Sequence, residues 1–293
     1  MTVVALKFQI GARTVAAVRR RLVRVALSLD EVLAEQVPVL PETDGDGYLI
    51  TSLPASLAAA VERGGRVAMV RQRYTRFYTD LGIGHAAWLA GLSGSARSTL
   101  KRKTRKIEAA GLEIHAYRTA ADFAAFYPLA RAVSATTYQE RLLDAGLPED
   151  PAAVAHLSAL AAADGLRAWL LLIGGVPAAY LCCTAQGSAL RYDHVGHDPA
   201  WGELSPGTVL HAAAMRDLFD DRFARFDFTE GEGQHKRQFA TDSVPCVDLL
   251  LLRPTLANRA TLIALAAFDG AMAHAKRAAR HPRVAALAKR VRR

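Results

Sequence analysis

The stretch Arg191-Tyr192-Asp193-His194-Val195-Gly196-His197-Asp198 places two histidines, two aspartates, a tyrosine and an arginine within eight residues. A histidine near its reference pKa exchanges protons at neutral pH, and a neighbouring carboxylate can orient it. General acid–base chemistry is the use these residues suggest, with His194 or Asp193 as the base. Metal binding is the rival use. On an extended strand His194 and His197 face opposite sides. No third ligand is obvious, so no metal is expected.

Two further segments suit an anionic ligand. Ser205-Pro206-Gly207-Thr208 opens a helix: serine is a good N-cap, proline is tolerated in the first turn, and Gly207 lets a ligand approach the backbone. The N–H groups of Gly207, Thr208 and Val209 would face a phosphate with the helix dipole behind them. Downstream, Phe226 to Gly233 reads as a strand running into a glycine-rich loop, followed by Gln234-His235-Lys236-Arg237. Lys236 and Arg237 suit a phosphate or carboxylate, and Glu230 is a further candidate base. Gly82 to Ala87 mimics a dinucleotide fingerprint, but the acid expected about twenty residues on is missing, because Arg102 to Arg105 are basic or neutral.

The elements that must position these groups follow from Trp169 to Phe239. The order there is strand, Gly174-Gly175 turn, strand, turn, strand, helix, strand, loop. Upstream, Leu112 to Tyr117 reads as a strand and Ala120 to Val133 as a helix. Thr137-Tyr138-Gln139 leads into a loop ending at Pro148, and a helix starts at Glu149-Asp150-Pro151. Cys246 to Leu252 is a last strand. The strand–helix–strand step from Leu190 to Phe228 requires a parallel neighbour and a right-handed crossover. Nearer the N-terminus, Val3 to Gln9 reads as a strand and Val15 to Val25 as a helix by its apolar spacing. Pro38 to Gly47 is a loop, and Arg66–Arg71 with Tyr74–Leu81 form a hairpin across Gln72 and Arg73. Ser93 or Ser95 caps a helix that Gly111 stops. That helix carries Arg97, Lys101, Arg102, Lys103, Arg105 and Lys106: a solvated basic face, or a contact for an anionic ligand or RNA.

Composition narrows the class. In 293 residues, 51% hydrophobic, no apolar run is long enough to span a bilayer, and the N-terminus lacks signal-peptide order, so a cytoplasmic protein is expected. Three cysteines without disulfide or zinc spacing read as small buried hydrophobes. The net charge is +9, yet the segment from Pro254 on holds nine basic residues and one acid, so +8 of it lies there. The high charge belongs to the tail and gives no support for a DNA-binding body. The tail reads as a basic amphipathic helix that docks on the body, stays solvated and partly frayed, or lies on an anionic membrane surface, the last of which would put the protein at the inner face of the membrane.

The segments GGVPAAY, YDHVGHDPAW, LSPGTVL and FDFTEGEGQHKRQF, with the helix LSGSARSTLKRKTRKIEAAG and the TTYQ segment, resemble the CelD-type branch of the GNAT acyltransferase superfamily over about residues 65–252. The resemblance implies an α/β (α+β) fold, a GNAT-like mixed sheet covered by helices. It also implies a tandem pair with a degenerate N-terminal copy, as in the related FemABX aminoacyltransferases. Residues 1–111 would be that copy, 112–253 the acyltransferase domain and 254–293 the tail. The implied donor is acetyl-CoA or another acyl-CoA. The implied acceptor is an amine or hydroxyl, on a small molecule or on a sugar or envelope polysaccharide precursor. Ser205, Gly207, Thr208 and Lys236 would then hold the donor, and Tyr138, Gln139, Tyr192 and Arg237 the acceptor. Ser205 to Thr208 occupy the place of the usual Gln/Arg-x-x-Gly-x-Gly/Ala signature, which is absent. His235 stands before Lys236 where the family usually has tyrosine. Two rivals are aminoacyl transfer from tRNA and a silent adaptor at the membrane surface.

Overall fold

The computed structural model describes residues 1–280 apart from 12, 63–64, 138–139, 141–145 and 232. The strands are β1 (Thr2–Ile10), β2 (Arg13–Ala26), β3 (Gly47–Pro54), β4 (Val67–Asp80), β5 (Leu112–Tyr117), β6 (Leu166–Ile173), β7 (Val176–Gln186), β8 (Ala189–His197), β9 (Arg225–Asp227) and β10 (Asp242–Leu252). The helices are α1 (Leu29–Leu33), α2 (Ala58–Glu62), α3 (His85–Gly91), α4 (Gly94–Glu108), α5 (Ala120–Thr136), α6 (Pro151–Ala162), α7 (Pro206–Leu218), α8 (Gln234–Phe239) and α9 (Leu256–Arg280).

Two compact units share the chain. The first holds Met1–Leu27, Glu35–Arg73 and the described residues from Cys246 on; the second holds Ser28–Ala34 and Tyr74–Pro245. This division differs from the one expected at Gly111. Helices α3 and α4 belong to the second unit, where Trp88 and Ile107 enter its core and the Gly174 N–H donates to the Gly111 carbonyl at 2.9 Å. Residues from Cys246 to Leu252, expected to close the acyltransferase domain, belong to the first.

In the first unit β2 pairs antiparallel with β1 and parallel with β3, and β3 pairs antiparallel with β10. The segment expected as a helix over Val15 to Val25 is thus a strand. Its apolar residues do recur at helical spacing, but it is rich in valine, and β-branched side chains fit a pleated surface held by two neighbours. The hairpin expected at Gln72 and Arg73 is likewise absent: β4 runs straight through, and neither residue supplies the positive φ that a tight hairpin turn favours. Within the unit α9 lays Leu262 and Leu265 on Val4, Leu6, Leu22, Leu250 and Leu252. Arg20 Nε donates to Asn258 Oδ1 at 2.9 Å, and Phe268 meets Phe8 edge-on at 5.4 Å. No helix among the described residues is long and apolar enough to cross a membrane.

The second unit carries the meander. Gly174 (φ 57°) and Gly175 (φ 77°) make the turn between β6 and β7, a conformation that suits two glycines. Strands β5 to β8 pair antiparallel in succession; α7 then crosses over so that β9 lies parallel to β8. The alternating side chains fill two cores. Trp169, Leu171, Leu181 and Cys183 face Ile107, Leu210, Met215 and Phe239. Leu170, Tyr180 and Cys182 face Phe123, Phe126 and Leu157. Cys182 and Cys183 therefore point to opposite faces, and all three cysteines are buried.

Candidate active site

Strand β8 contains a bulge at its most titratable residues. Cys182 of β7 pairs with His194, but Cys183 pairs with Tyr192, so Asp193 is an extra residue. A bulge of this kind sets two consecutive side chains on one side of a sheet. Asp193 and His194 accordingly line the same cavity, of about 580 Å³, with Arg131, Glu140 and Glu149. Tyr192 takes the other face, with its ring 5.3 Å from His211 on α7. His197 pairs with Ala179 and His194 with Cys182, which places the two histidines on opposite faces, as strand alternation requires.

His194 is not oriented by Asp193. Its Nδ1 lies 3.2 Å from the Gly146 carbonyl. A carbonyl only accepts, so Nδ1 carries the proton and Nε2 the lone pair. Burial pushes the His194 pKa below its ordinary value, against a smaller opposing pull from Asp193. Neutral, with a bare Nε2, this imidazole is in the form a general base needs. Asp193 is engaged elsewhere, accepting from Thr184 Oγ1 and pairing with Arg191 at 3.2 Å. Beside them Arg131 grips Glu140 through both terminal nitrogens and binds Glu149 Oε1 at 2.9 Å. Ser134 Oγ donates to Glu140 at 2.6 Å. The Arg131 hydrogen bond holds the Glu140 carboxyl below its usual range.

On the opposite face the strands part. β9 pairs with β8 only from Ala189/Arg225 to Arg191/Asp227. Beyond that the β9-facing edge of Tyr192 to His197 has no strand partner among the described residues. A buried ion pair fixes the parting point. Arg76 donates to Asp227 through Nε at 3.1 Å and Nη2 at 2.5 Å, and Asp227 also accepts the Thr229 N–H at 2.8 Å. Lys236 is drawn inward at the same loop: Nζ donates to the Phe228 and Glu230 carbonyls at 2.6 Å each. This lysine, expected to meet a ligand anion, therefore ties down the loop. Glu230 stands exposed on it.

A cavity of about 910 Å³ lies among α3, α4, α7 and α8 and is lined by Ser95, Thr99, Lys103, Thr208, His235 and Arg237. Lys103 Nζ donates to Thr208 Oγ1 at 3.2 Å. Two details of the expected helix cap are corrected. Ser205 sits in the left-handed region (φ 55°, ψ 51°) and its side chain caps nothing, because a 3-10 turn over Pro199–Leu204 feeds straight into α7 without an extended cap residue. The Thr208 N–H is already bonded to the Ser205 carbonyl at 3.1 Å. A Cβ on Gly207 would meet only His197 Nδ1, at 3.9 Å, so the first turn stays open on that side.

The structure thus gathers the expected residues into two groups on opposite faces of β8: Asp193 and His194 on one, Tyr192, Thr208 and Arg237 on the other. Tyr138 and Gln139 lie outside the described residues. Sequence reasoning missed Gly146 as the His194 partner, the Arg131–Glu140 pair, the Arg76–Asp227 pair and the buried His211. It left the helix of Lys103 as either a solvated basic face or a contact for an anionic ligand or RNA, without singling out that lysine.

Residues 94–237 match the family model described as an acetyltransferase (GNAT) domain. Among solved structures, the C-terminal domain of a putative lysylphosphatidylglycerol synthetase from Agrobacterium fabrum is 12% identical over 75% of this chain and 72% of its own, with a TM-score of 0.52. FemX is 10% identical over 70% of this chain and 72% of its own, with a TM-score of 0.50. At such identities the likeness is one of fold. No curated protein sequence matches the chain. The mixed sheet, its crossover and the parted strands define a GNAT-type acyltransferase fold. The match over residues 94–237 and the likeness of fold to these structures agree on that fold.

Proposed function

We propose that this protein transfers an acyl group from an acyl-CoA thioester to an amine or hydroxyl. The observation that carries the reading is the parting of β8 from β9 after Arg191/Asp227, with Lys103 and Thr208 on one face and His194 on the other. A cationic Lys103 beside the N-terminus of α7 suits the donor pyrophosphate, since charge-assisted bonds and the helix dipole act together there. The acyl end then reaches the open edge of β8, and the acceptor comes from the His194 cavity.

His194 Nε2 removes the proton as the acceptor nitrogen or oxygen bonds to the thioester carbon. A backbone N–H on the open edge of β8 stabilises the oxyanion. Collapse breaks the C–S bond, and the departing thiolate takes the proton held by His194. Sugar or envelope precursors are the acceptor class we favour, following the family resemblance.

Calorimetric titration of the full chain with acetyl-CoA, longer acyl-CoAs and aminoacyl-tRNA tests this. Binding of an acyl-CoA, and its loss of acyl group to an amine or sugar in an acceptor screen, is the expected result. Binding of aminoacyl-tRNA with no response to any acyl-CoA would overturn it.

A further inference from the structure

One stripe of α5 bears on His194 at one remove. Tyr127, Arg131 and Ser134 stand at i, i+4 and i+7 of that helix, and so along one side of it. All three hold the chain from Gly146 to Glu149, which is neither helix nor strand. Tyr127 OH donates to the Pro148 carbonyl at 2.8 Å and Arg131 Nη1 to the Leu147 carbonyl at 3.2 Å. The Leu147 N–H donates to Ser134 Oγ at 2.9 Å.

The last of these contacts has a consequence the other two lack. The Leu147 N–H and the Gly146 carbonyl belong to one peptide group, which is planar and trans, so the two point in opposite directions. Ser134 takes the N–H, and the carbonyl faces His194 Nδ1 at 3.2 Å. Whatever turns that plane turns the acceptor on which the His194 tautomer depends.

Ser134 is equipped to hold the plane still. It is fully buried, and its hydroxyl is saturated. It donates to Glu140 at 2.6 Å, and Arg131 grips that same carboxylate. Its two lone pairs take the Leu147 N–H and the Tyr180 OH, the latter at 3.0 Å. A hydroxyl held on three sides has no freedom to swing away from the Leu147 N–H. Alanine would fill the same space but leave that N–H without this partner.

We infer that Ser134 is a positioning residue for His194: it orients the Gly146–Leu147 peptide so that the Gly146 carbonyl keeps the proton on Nδ1 and leaves Nε2 bare. The inference rests on the reading of His194 as the base.

The test uses the full chain labelled with 15N-histidine at about pH 8, where neutral imidazole dominates. The His194 signals are assigned by their loss in His194→Gln. In the parent protein Nδ1 should show the shift of a protonated nitrogen and Nε2 that of a bare one. Ser134→Ala removes the hydroxyl, and Ser134→Cys nearly keeps its size but accepts poorly. In both, the two His194 signals should move towards each other as the second tautomer becomes populated. Tyr180→Phe removes a buried hydrogen bond from the same serine and leaves the Leu147 contact, so its His194 signals should stay in place. Parent-like His194 signals in Ser134→Ala and Ser134→Cys overturn the inference and leave His194 standing as the base. Equal movement in Tyr180→Phe overturns it too, because the serine would then act only through general packing. A parent protein with the proton on Nε2 overturns both the inference and the base reading.

Discussion

Lys103 of α4 and Thr208 of α7 are joined by a 3.2 Å hydrogen bond across 105 residues of chain. Other basic side chains of that helix are spent on carbonyls: Arg97 on Ala90 and Leu92, Lys106 on Glu203. Lys103 instead lines the cavity. Its replacement by alanine should weaken coenzyme A binding by about 1.5–3 kcal/mol, roughly ten- to a hundredfold, the range for a hydrogen bond to a charged group. The salt dependence should also flatten, because one cation–phosphate contact is gone. Calorimetry at two ionic strengths checks both; unchanged affinity would remove Lys103 from the donor site.

The rate profile should carry the His194 titration. Burial lowers its pKa, so the neutral, proton-accepting form persists below the ordinary histidine value of about 6.5. The kcat/KM value should be at its plateau at pH 7 and fall only as pH drops through a point below about 6.5. In His194→Ala the activity should collapse and this acid limb vanish. A limb that survives the substitution belongs to another base, with Glu230 the next to test.

Asp227 is fully buried and Arg76 nearly so. Deleting one partner of a buried pair removes the compensation for the other's lost hydration, at a cost of about 3–5 kcal/mol. Asp227→Ala should therefore show a much lower urea midpoint than the parent protein. The pair also anchors the point where β9 leaves β8, so Asp227→Asn, gentler on stability, should still weaken donor binding. A stable Asp227→Ala protein with normal binding would show that the pair is not needed to hold the opening.

The thiols should be inert in the folded protein. Cys182 and Cys183 have their pKa values pushed far up by burial, and the thiolate is the reactive form. Cys246 is 1% exposed. A thiol reagent at pH 8 should label none of the three natively and all three in urea. Fast native labelling of Cys182 or Cys183 would contradict the packing of β7.

Much of the second unit was legible as local chemistry. Ser93 does cap α4, with Oγ accepting the Ala96 N–H at 3.1 Å, and Gly111 ends that region at φ 84°. Asp150 caps α6 with Pro151 in the first turn, and the glycine pair turns β6 into β7. Each of these depends on a few adjacent residues whose backbone preferences agree, so neighbours in sequence suffice. The parallel β9 followed from the same logic, since a helix between two strands leaves few other routes.

Where side chains had to find distant partners, the sequence was silent or misleading. Helical spacing over Val15 to Val25 lost to pairing with β1 and β3, which satisfies that backbone through strands elsewhere in the chain. Asp193 and His194 share a cavity because β8 bulges at Asp193, opposite the step from Cys182 to Cys183 in β7, where strict alternation would have put them on opposite faces. The tautomer of His194 is set by Gly146, and the candidate anion site by Lys103 meeting Thr208. Residue types and spacing alone determined the meander, the crossover and the residues able to do acid–base or phosphate chemistry. Which of them meet, and on which face of β8, was decided by strand register and helix packing, because those contacts join groups far apart in the chain.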